Sequence, residues 1–326
     1  MRVLVFGAGA IGSVLGGLLG QAGHDVVLLG RRRLLATVER DGLRIEGLWG
    51  SHHVRGLSAV SGVGELAGAG PPDWVFVCVK AYQTADAARA LAPVLARDTL
   101  VCAFQNGLGN YEALTAKMPA ERVALGRVIF GAEIEPGRAR VTVSAGDVLV
   151  GWPGASGPPA RLEALARALS EAGIACRTDG NIVAALWAKV LYNCALNGLS
   201  TVLEVPYGRL PEHPVAPGLM RAVIEEAYRV AASQGVRLEP PAAAGYLEAL
   251  FGRLIPDTAA HRPSMLQNVL RGSPTEIDAL NGALVRLGEQ AGVTVPANAL
   301  ITRLVHEKER FLGVQPATSD ERPATR

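Results

Sequence analysis

Met1 to Gly12 reads MRVLVFGAGAIG, and the next apolar run, His24 to Gly30 (HDVVLLG), closes on Arg31-Arg32-Arg33. Gly7, Gly9 and Gly12 form G-x-G-x-x-G directly after an apolar strand, with Ile11 to Gln21 predicted as the helix that follows. In this pattern the first glycine makes a tight turn, the second lets backbone approach a pyrophosphate, and the third lets helix and strand pack closely. The helix N-terminus adds unpaired N–H groups and a partial positive charge. Gly7, Ala8, Gly9, Ala10, Ile11 and Gly12 are therefore the candidate cradle for a dinucleotide. An acidic residue at the end of the second strand would hold a ribose 2′-OH, whereas a 2′-phosphate repels carboxylate and pairs with guanidinium. Arg31 occupies that place, so the expected cofactor is NADPH/NADP+, with Arg32 and Arg33 as alternative partners of the 2′-phosphate. The competing reading is a glycine-rich turn followed by a solvated basic loop.

The chain has 326 residues, enough for two domains with sizeable cores. A formal net charge of +2 gives no broad footprint for nucleic acid or an anionic membrane. Only Lys80, Lys117, Lys189 and Lys308 are lysines among 32 basic residues, which singles them out. Cys78, Cys102, Cys176 and Cys194 lie in apolar segments without C-x-x-C spacing, as small buried hydrophobes in a reducing compartment do. Val3 to Gly23 is uncharged over 21 residues and matches a signal peptide or a membrane span by length. Seven of those positions are glycine, which disfavours a spanning helix, and strand-turn-helix punctuation places them better. Nothing else in the chain reads as membranous, and a cytoplasmic protein is expected. Of the six histidines, only His52 and His53 are adjacent, and no carboxylate or cysteine follows at ligand spacing, so no metal site is expected. There is no G-x-S-x-G elbow for serine hydrolase chemistry.

Short β-branched runs alternate with helical patterns in the first half, the signature of a doubly wound parallel sheet. Predicted strands are Val3 to Phe6, Asp25 to Leu29, Trp74 to Val79, Thr99 to Ala103, Arg122 to Phe130, Arg140 to Ser144, Val148 to Gly151 and Ile174 to Arg177, with a helix at Ala160 to Glu171. From about Asp179 long helical periodicities take over: Ile182 to Leu203, Ala216 to Gln234, Pro241 to Leu254, Thr275 to Ala291 and Ala297 to Phe311. The expected fold is an α/β Rossmann-type doubly wound domain followed by an all-α helical domain. Its boundaries are 1–179 for nucleotide binding, 180–314 for substrate, and a polar tail at 315–326 expected to be disordered. Substrate is expected where the two domains meet, outside the strand carboxyl ends.

Trp74 to Lys80 (WVFVCVK) ends an apolar strand on a lysine, either an ordinary solvated strand end or a charge facing the cofactor. Gln105-Asn106-Gly107-Leu108-Gly109 follows the next strand, and Asn106 is either a turn residue or an amide facing nicotinamide or substrate. Within Ile182 to Leu203, Lys189, Asn193 and Asn197 recur at i, i+4 and i+8 and share one helix face. The rest of that helix is mostly apolar, so the polar line faces solvent or a wet cavity. In a cavity, burial would disfavour the ammonium and let Lys189 donate a proton near neutral pH. Ser264 is an N-cap candidate where a loop meets a helix. Ser273, Pro274 and Glu276 spell a capping box, so Glu276 is either a capping carboxylate or a group of the site.

Taken in order, GAGAIG, Arg31, VCVKAYQT, FQNGLGN, LWAKVLYNCALNGLSTV, RPSMLQ and TEIDALNG resemble the ketopantoate reductase (2-dehydropantoate 2-reductase) family from about Met1 to Phe311. That resemblance implies NADPH-dependent reduction of ketopantoate to (R)-pantoate in pantothenate and coenzyme A biosynthesis. It implies Lys189 as general acid and Glu276 as the acidic residue that anchors substrate, supports the lysine and touches the cofactor, in place of the capping role. Asn193, Asn197 and Ser264 are then substrate-binding groups, and Lys80 and Asn106 lie between cofactor and substrate. Two departures stand out: Gly198 follows Asn197 where Asn-Pro is common in the family, and LEVPYG replaces a Thr-containing form. Both are expected to reshape the substrate end of the pocket. The alternatives are a reductase of another branched 2-oxo acid and a non-catalytic NADP-binding sensor. The expected partner is a small-molecule substrate, with neither nucleic acid nor membrane, and a homodimer is possible.

Overall fold

The computed structural model describes residues 1–66, 70–155 and 157–315, so most of the tail assigned to 315–326 lies outside the described residues. Contacts divide the chain into two units. Among the described residues the first takes Met1–Gln105 and Asn110–Ile182, and the second takes Asn106–Gly109 and the residues from Val183 to Gln315.

The first unit runs β1 (Arg2–Phe6), α1 (Ala10–Gln21), β2 (Asp25–Leu29), α2 (Arg32–Asp41), β3 (Leu43–Gly47), β4 (His52–Val54), β5 (Ser58–Val60) and β6 (Trp74–Val77). It continues through α3 (Thr84–Leu91), β7 (Leu100–Ala103), α4 (Asn110–Thr115), β8 (Val123–Arg127), β9 (Phe130–Glu135), β10 (Arg138–Ser144), β11 (Val148–Gly151), α5 (Pro159–Glu171) and β12 (Cys176–Thr178). One sheet of eight strands has the order β12-β11-β8-β7-β6-β1-β2-β5. From β8 to β5 every pairing is parallel, and only the β11–β8 pair is antiparallel. The six parallel strands follow the Rossmann order, with its switch between β1 and β6 where crossovers turn to opposite sides.

A second sheet, β4-β3-β10-β9, was not foreseen from the sequence. Arg122 to Phe130, predicted as one strand, is instead two. The chain leaves the large sheet after Arg127 and enters the small one at Phe130, because Val128 and Phe130 are both buried and the segment between must turn. Helix α1 lies between the two sheets, which accounts for its glycines. A Cβ on Gly16 would come within 2.7 Å of Leu28 in the large sheet, and one on Gly17 within 2.6 Å of Ile45 in the small one. The glycines of Val3 to Gly23 thus serve close packing on two sides as well as the turn.

The second unit contains α6 (Ile182–Leu203), α7 (Ala216–Ser233), α8 (Ala243–Ala249), a π-helical turn at Leu250–Leu254, α9 (Ile255–Asp257), α10 (Ser264–Leu270), α11 (Asn281–Ala291) and α12 (Pro296–Phe311). No strand occurs among its described residues. By length and composition α6 is apolar enough to cross a membrane, a property not expected outside the N-terminus. Most of its apolar surface is buried inside the protein, packed with Met220, Ile224, Leu284 and Ile301 into one core. The helix ends at Glu204, the one non-glycine at positive φ (+57°) among the described residues. Its final carbonyls meet cations, as helix C-termini favour. Lys308 Nζ donates to the Val202 carbonyl at 3.3 Å and to Glu204 Oε1 at 2.7 Å, and Arg262 donates to the Glu204 carbonyl at 3.1 Å.

The predicted helix from Thr275 to Ala291 is interrupted. Ile277–Ala279 forms a single 3-10 turn, and Leu280 (φ −107°, ψ −105°) breaks it from α11. Asn281 is fully buried there and donates to the Cys194 carbonyl of α6 and to Asn298 Oδ1 of α12. Starting α11 at Asn281 aims that amide at both helices.

Candidate active site

In the first unit, β1 delivers the chain to the glycine turn. Gly7 has φ +110°, and a Cβ there would meet the Val79 nitrogen at 2.6 Å. A Cβ on Gly12 would meet the Gly7 carbonyl oxygen at 2.2 Å and Val5 at 2.8 Å, so the third glycine sets the distance from helix to strand. Gly9 differs: nothing lies within 4 Å of a Cβ added there. That open space stands at the N-cap of α1, where no side chain caps the helix and the first turn carries no acidic residue. First-turn N–H groups lack intrahelical acceptors, so an anion that fills the space meets donors and the positive end of the helix dipole. The cradle therefore fits a dinucleotide pyrophosphate.

The loop after β2 is closed by Gly30, whose N–H donates to the Val60 carbonyl at 3.1 Å. Arg31, Arg32 and Arg33 are all exposed. Arg31 precedes α2 as its N-cap with extended backbone. Arg32 has a carboxylate near it: Glu65 is held below the usual carboxylate range chiefly by hydrogen bonds from Ser61, with the Arg32 charge contributing. Lys80 also belongs to this unit. It stands three residues beyond β6, which ends at Val77 rather than Val79, and precedes the turn Ala81–Gln83. That segment is fastened from below. Thr84 Oγ1 donates to the Ala81 carbonyl at 2.9 Å, lies 2.8 Å from Asn110 Oδ1, and accepts from buried Gln105 Nε2 at 2.5 Å.

In the second unit, Lys189 is half-buried and its Nζ donates to Asn106 Oδ1 at 2.5 Å. Asn193 and Asn197 continue the same α6 face and are both buried, at 9% and 8% exposure. Asn106 arrives on a loop fixed by the break before α11. Because Leu280 leaves helical geometry, the Ala279 carbonyl accepts from Leu108 N–H at 2.8 Å. Gly107 (φ +86°) makes the approach feasible, since a Cβ there would fall 2.4 Å from that carbonyl. The sequence-predicted turn at Asn106-Gly107 and the amide facing Lys189 are thus one structure.

Glu276 is 8% exposed and sits three residues before Ala279. The capping box expected around it does not form. No helix starts at Ser273, Glu276 makes no side-chain cap, and Thr275 Oγ1 instead accepts from the Ile277 N–H at 3.3 Å. The Thr275 N–H donates to Glu309 Oε1 at 2.7 Å. Ser264 is the first residue of α10 and is exposed; Pro263 holds the N-cap position in its stead.

Tyr207 is a neighbour of this face that sequence spacing did not single out. Its hydroxyl donates to Asn197 Oδ1, and its ring packs edge-on against Tyr192 (5.8 Å between centroids) and beside His261 (5.1 Å). Burial raises the Tyr207 hydroxyl well above the ordinary tyrosine value and lowers His261, so Tyr207 remains a donor and His261 tends to neutrality. Tyr192 is also raised by burial, offset in part by its 2.6 Å hydrogen bond with Thr258 Oγ1. The departure LEVPYG was the signal for this residue. Gly198, the other departure, does not open the pocket: a Cβ there would meet Ile301 of α12 at 2.3 Å, so it marks a close helix crossing.

The profile described as "Ketopantoate reductase PanE/ApbA" matches residues 3–153, and its C-terminal counterpart matches 181–309. The chain is 40% identical over 314 residues, 95% of its length and 98% of the relative's, to a 2-dehydropantoate 2-reductase of Aquifex aeolicus strain VF5. A PanE/ApbA family ketopantoate reductase from Ralstonia eutropha JMP134, solved by crystallography, superposes with a TM-score of 0.86 at 35% identity, covering 96% of this chain and all of that one. A D-mandelate dehydrogenase solved with NADH and anilino(oxo)acetate also superposes at 0.86, with 29% identity over 97% of this chain and all of that one. A Rossmann-ordered unit, a helical unit, and matches to both halves of one family over nearly full length together place the chain: it belongs to the ketopantoate reductase family.

Proposed function

We propose that this protein reduces ketopantoate to (R)-pantoate with NADPH, as the step that supplies pantoate for pantothenate and coenzyme A synthesis. The observation that carries the reading is the Lys189–Asn106 hydrogen bond on the polar face of α6, with the Glu276 turn docked on the same loop through Leu108 and Ala279. NADPH, when bound, supplies the hydride that reaches the 2-oxo carbon. Lys189 then protonates the carbonyl oxygen as general acid, a role worth about 10²–10⁴-fold. Asn106 Oδ1 accepts from Nζ and orients one ammonium proton, leaving others for substrate. Asn193 and Asn197 offer amide donors to the carboxylate and hydroxyl of ketopantoate, and Glu276 accepts from the hydroxyl and contacts the cofactor. Ser264 stands as a further substrate group from α10. Gly7 to Gly12 hold the pyrophosphate, Lys80 the nicotinamide end, and Arg31, at the end of the loop after β2 and the N-cap of α2, the 2′-phosphate.

The similarity to D-mandelate dehydrogenase favours a second reading, in which the substrate is another branched or aryl 2-oxo acid and NADH is the donor. One experiment separates these: initial rates of NADPH and NADH oxidation across ketopantoate and a small panel of 2-oxo acids. We expect ketopantoate with NADPH to give the highest kcat/KM. A preference for an aryl 2-oxo acid or for NADH would replace the first reading with the second.

A further inference from the structure

Glu276 lies in a turn outside any α-helix, and that turn is held from α12 on both sides of it, through the Thr275 backbone before it and the Asp278 side chain after it. On one side the Thr275 N–H donates to Glu309 Oε1 at 2.7 Å. On the other, two residues along, Asp278 Oδ1 lies 3.0 Å from His306 Nε2. The ring's second nitrogen, Nδ1, lies 2.8 Å from Glu309 Oε2. A neutral imidazole donates from one nitrogen only, so two carboxylate oxygens at these distances suit the doubly protonated ring. Glu309 thus accepts from the turn with one oxygen and from His306 with the other. The remaining charges nearby are engaged elsewhere: Lys308 with Glu204, and Arg310 with Glu307. Asp278 and Glu309 are the charged groups that act on the ring.

We propose that His306 is a positioning residue for Glu276: shared as an imidazolium by Asp278 and Glu309, it locks the turn that carries Glu276 and so fixes how that carboxylate is presented to the substrate. The proposal rests on the reading of Glu276 as a substrate-binding group. Partial burial lowers the ring's affinity for a proton, but the hydrogen bonds to Glu309 and Asp278 outweigh it and raise the titration above 6.5. A group raised on folding stabilises the fold below its unfolded value and ceases to do so as pH rises through the folded one. The clamp is therefore closed in mild acid and opens on the alkaline side, where one of the two donors is lost and two carboxylates face each other without a cation.

The test is the pH dependence, from about 5.5 to about 8.5, of KM for ketopantoate in the wild type, His306→Gln and Glu309→Gln, beside a ¹⁵N-histidine titration of the full chain. In the wild type KM should rise on the order of fivefold as the ring deprotonates, with kcat moving less than about twofold. His306→Gln should sit at the high KM throughout, and Glu309→Gln should behave likewise. Should Glu309→Gln fail to fold, Asp278→Asn removes only the exposed arm and should give a smaller rise. Superimposable KM profiles for wild type and His306→Gln would overturn the proposal. So would a ring that titrates at or below 6.5. If the wild type turns over no 2-oxo acid at all, the proposed function fails, and the ring titration alone then decides whether the clamp exists.

Discussion

Helices α1 and α6 are both buried nearly all round, yet the functional ends they present are built by opposite means. At α1 the candidate site consists of what is missing: three glycines shape a turn, a gap and a close contact, and a ligand there would be offered backbone. At α6 the candidate site consists of what is present: a lysine and two asparagines stand on one face, and Lys189 and Asn197 are held by hydrogen bonds with residues outside the helix, Asn106 and Tyr207. A backbone site is written in a dozen consecutive residues and is specified by spacing. A side-chain site also needs its orienting partners, and those come from the loop at Asn106, the turn at Glu276 and Tyr207.

The widest separation between the two should appear with Lys189→Ala. We expect kcat to fall on the order of 10²-fold or more, with dinucleotide affinity, followed by nucleotide fluorescence, unchanged. A parallel loss of nucleotide affinity would mean that the α6 site is not a side-chain site for substrate alone. Next come the glycines. Gly9→Ala meets open space and should keep the melting temperature while weakening dinucleotide binding on the order of tenfold. Gly12→Ala instead drives a methyl into the Gly7 carbonyl, and should cost about 1–3 kcal/mol in denaturant unfolding. If both variants lose stability equally, the gap at Gly9 is packing and not a ligand site. The smallest effect belongs to Tyr207→Phe. Its hydroxyl holds the Asn197 carbonyl oxygen and so turns the Asn197 amide nitrogen away from itself, free to donate. Removing it should raise KM for substrate by a few-fold, equivalent to about 1 kcal/mol, with kcat little altered. An unchanged KM would show that Asn197 keeps its orientation without help.

The same contrast explains how far the sequence could be read. Gly7, Gly9 and Gly12 followed a visible strand, so the parallel sheet and the cradle were legible. Lys189, Asn193 and Asn197 were legible as a face because helical spacing is local. What escaped depends on long-range partners or on short strands. Leu43–Gly47 and His52–Val54 are too brief to show a period, so the small sheet and the reason for Gly17 were invisible, and Ser58–Val60, the edge strand of the large sheet, escaped in the same way. Thr275 to Ala291 looks like one helix by periodicity. Its interruption at Leu280 is imposed by Asn281 reaching for Cys194 and Asn298, a tertiary demand that propensity does not register. Ser273-Pro274-Thr275-Glu276 matches the letters of a capping box, but Glu309 takes the Thr275 N–H and the box never closes.

The seating of α1 between two sheets bears on how ligand affinity is generated. With Gly16 against Leu28 and Gly17 against Ile45, the helix has no free side along which to shift or fray. Binding there need not order the helix first, so little conformational entropy is lost at the pyrophosphate end, and the gain from each N–H contact is retained in full. Amide hydrogens of Val14 to Leu19 should exchange slowly before any nucleotide is added and at nearly the same rate afterwards.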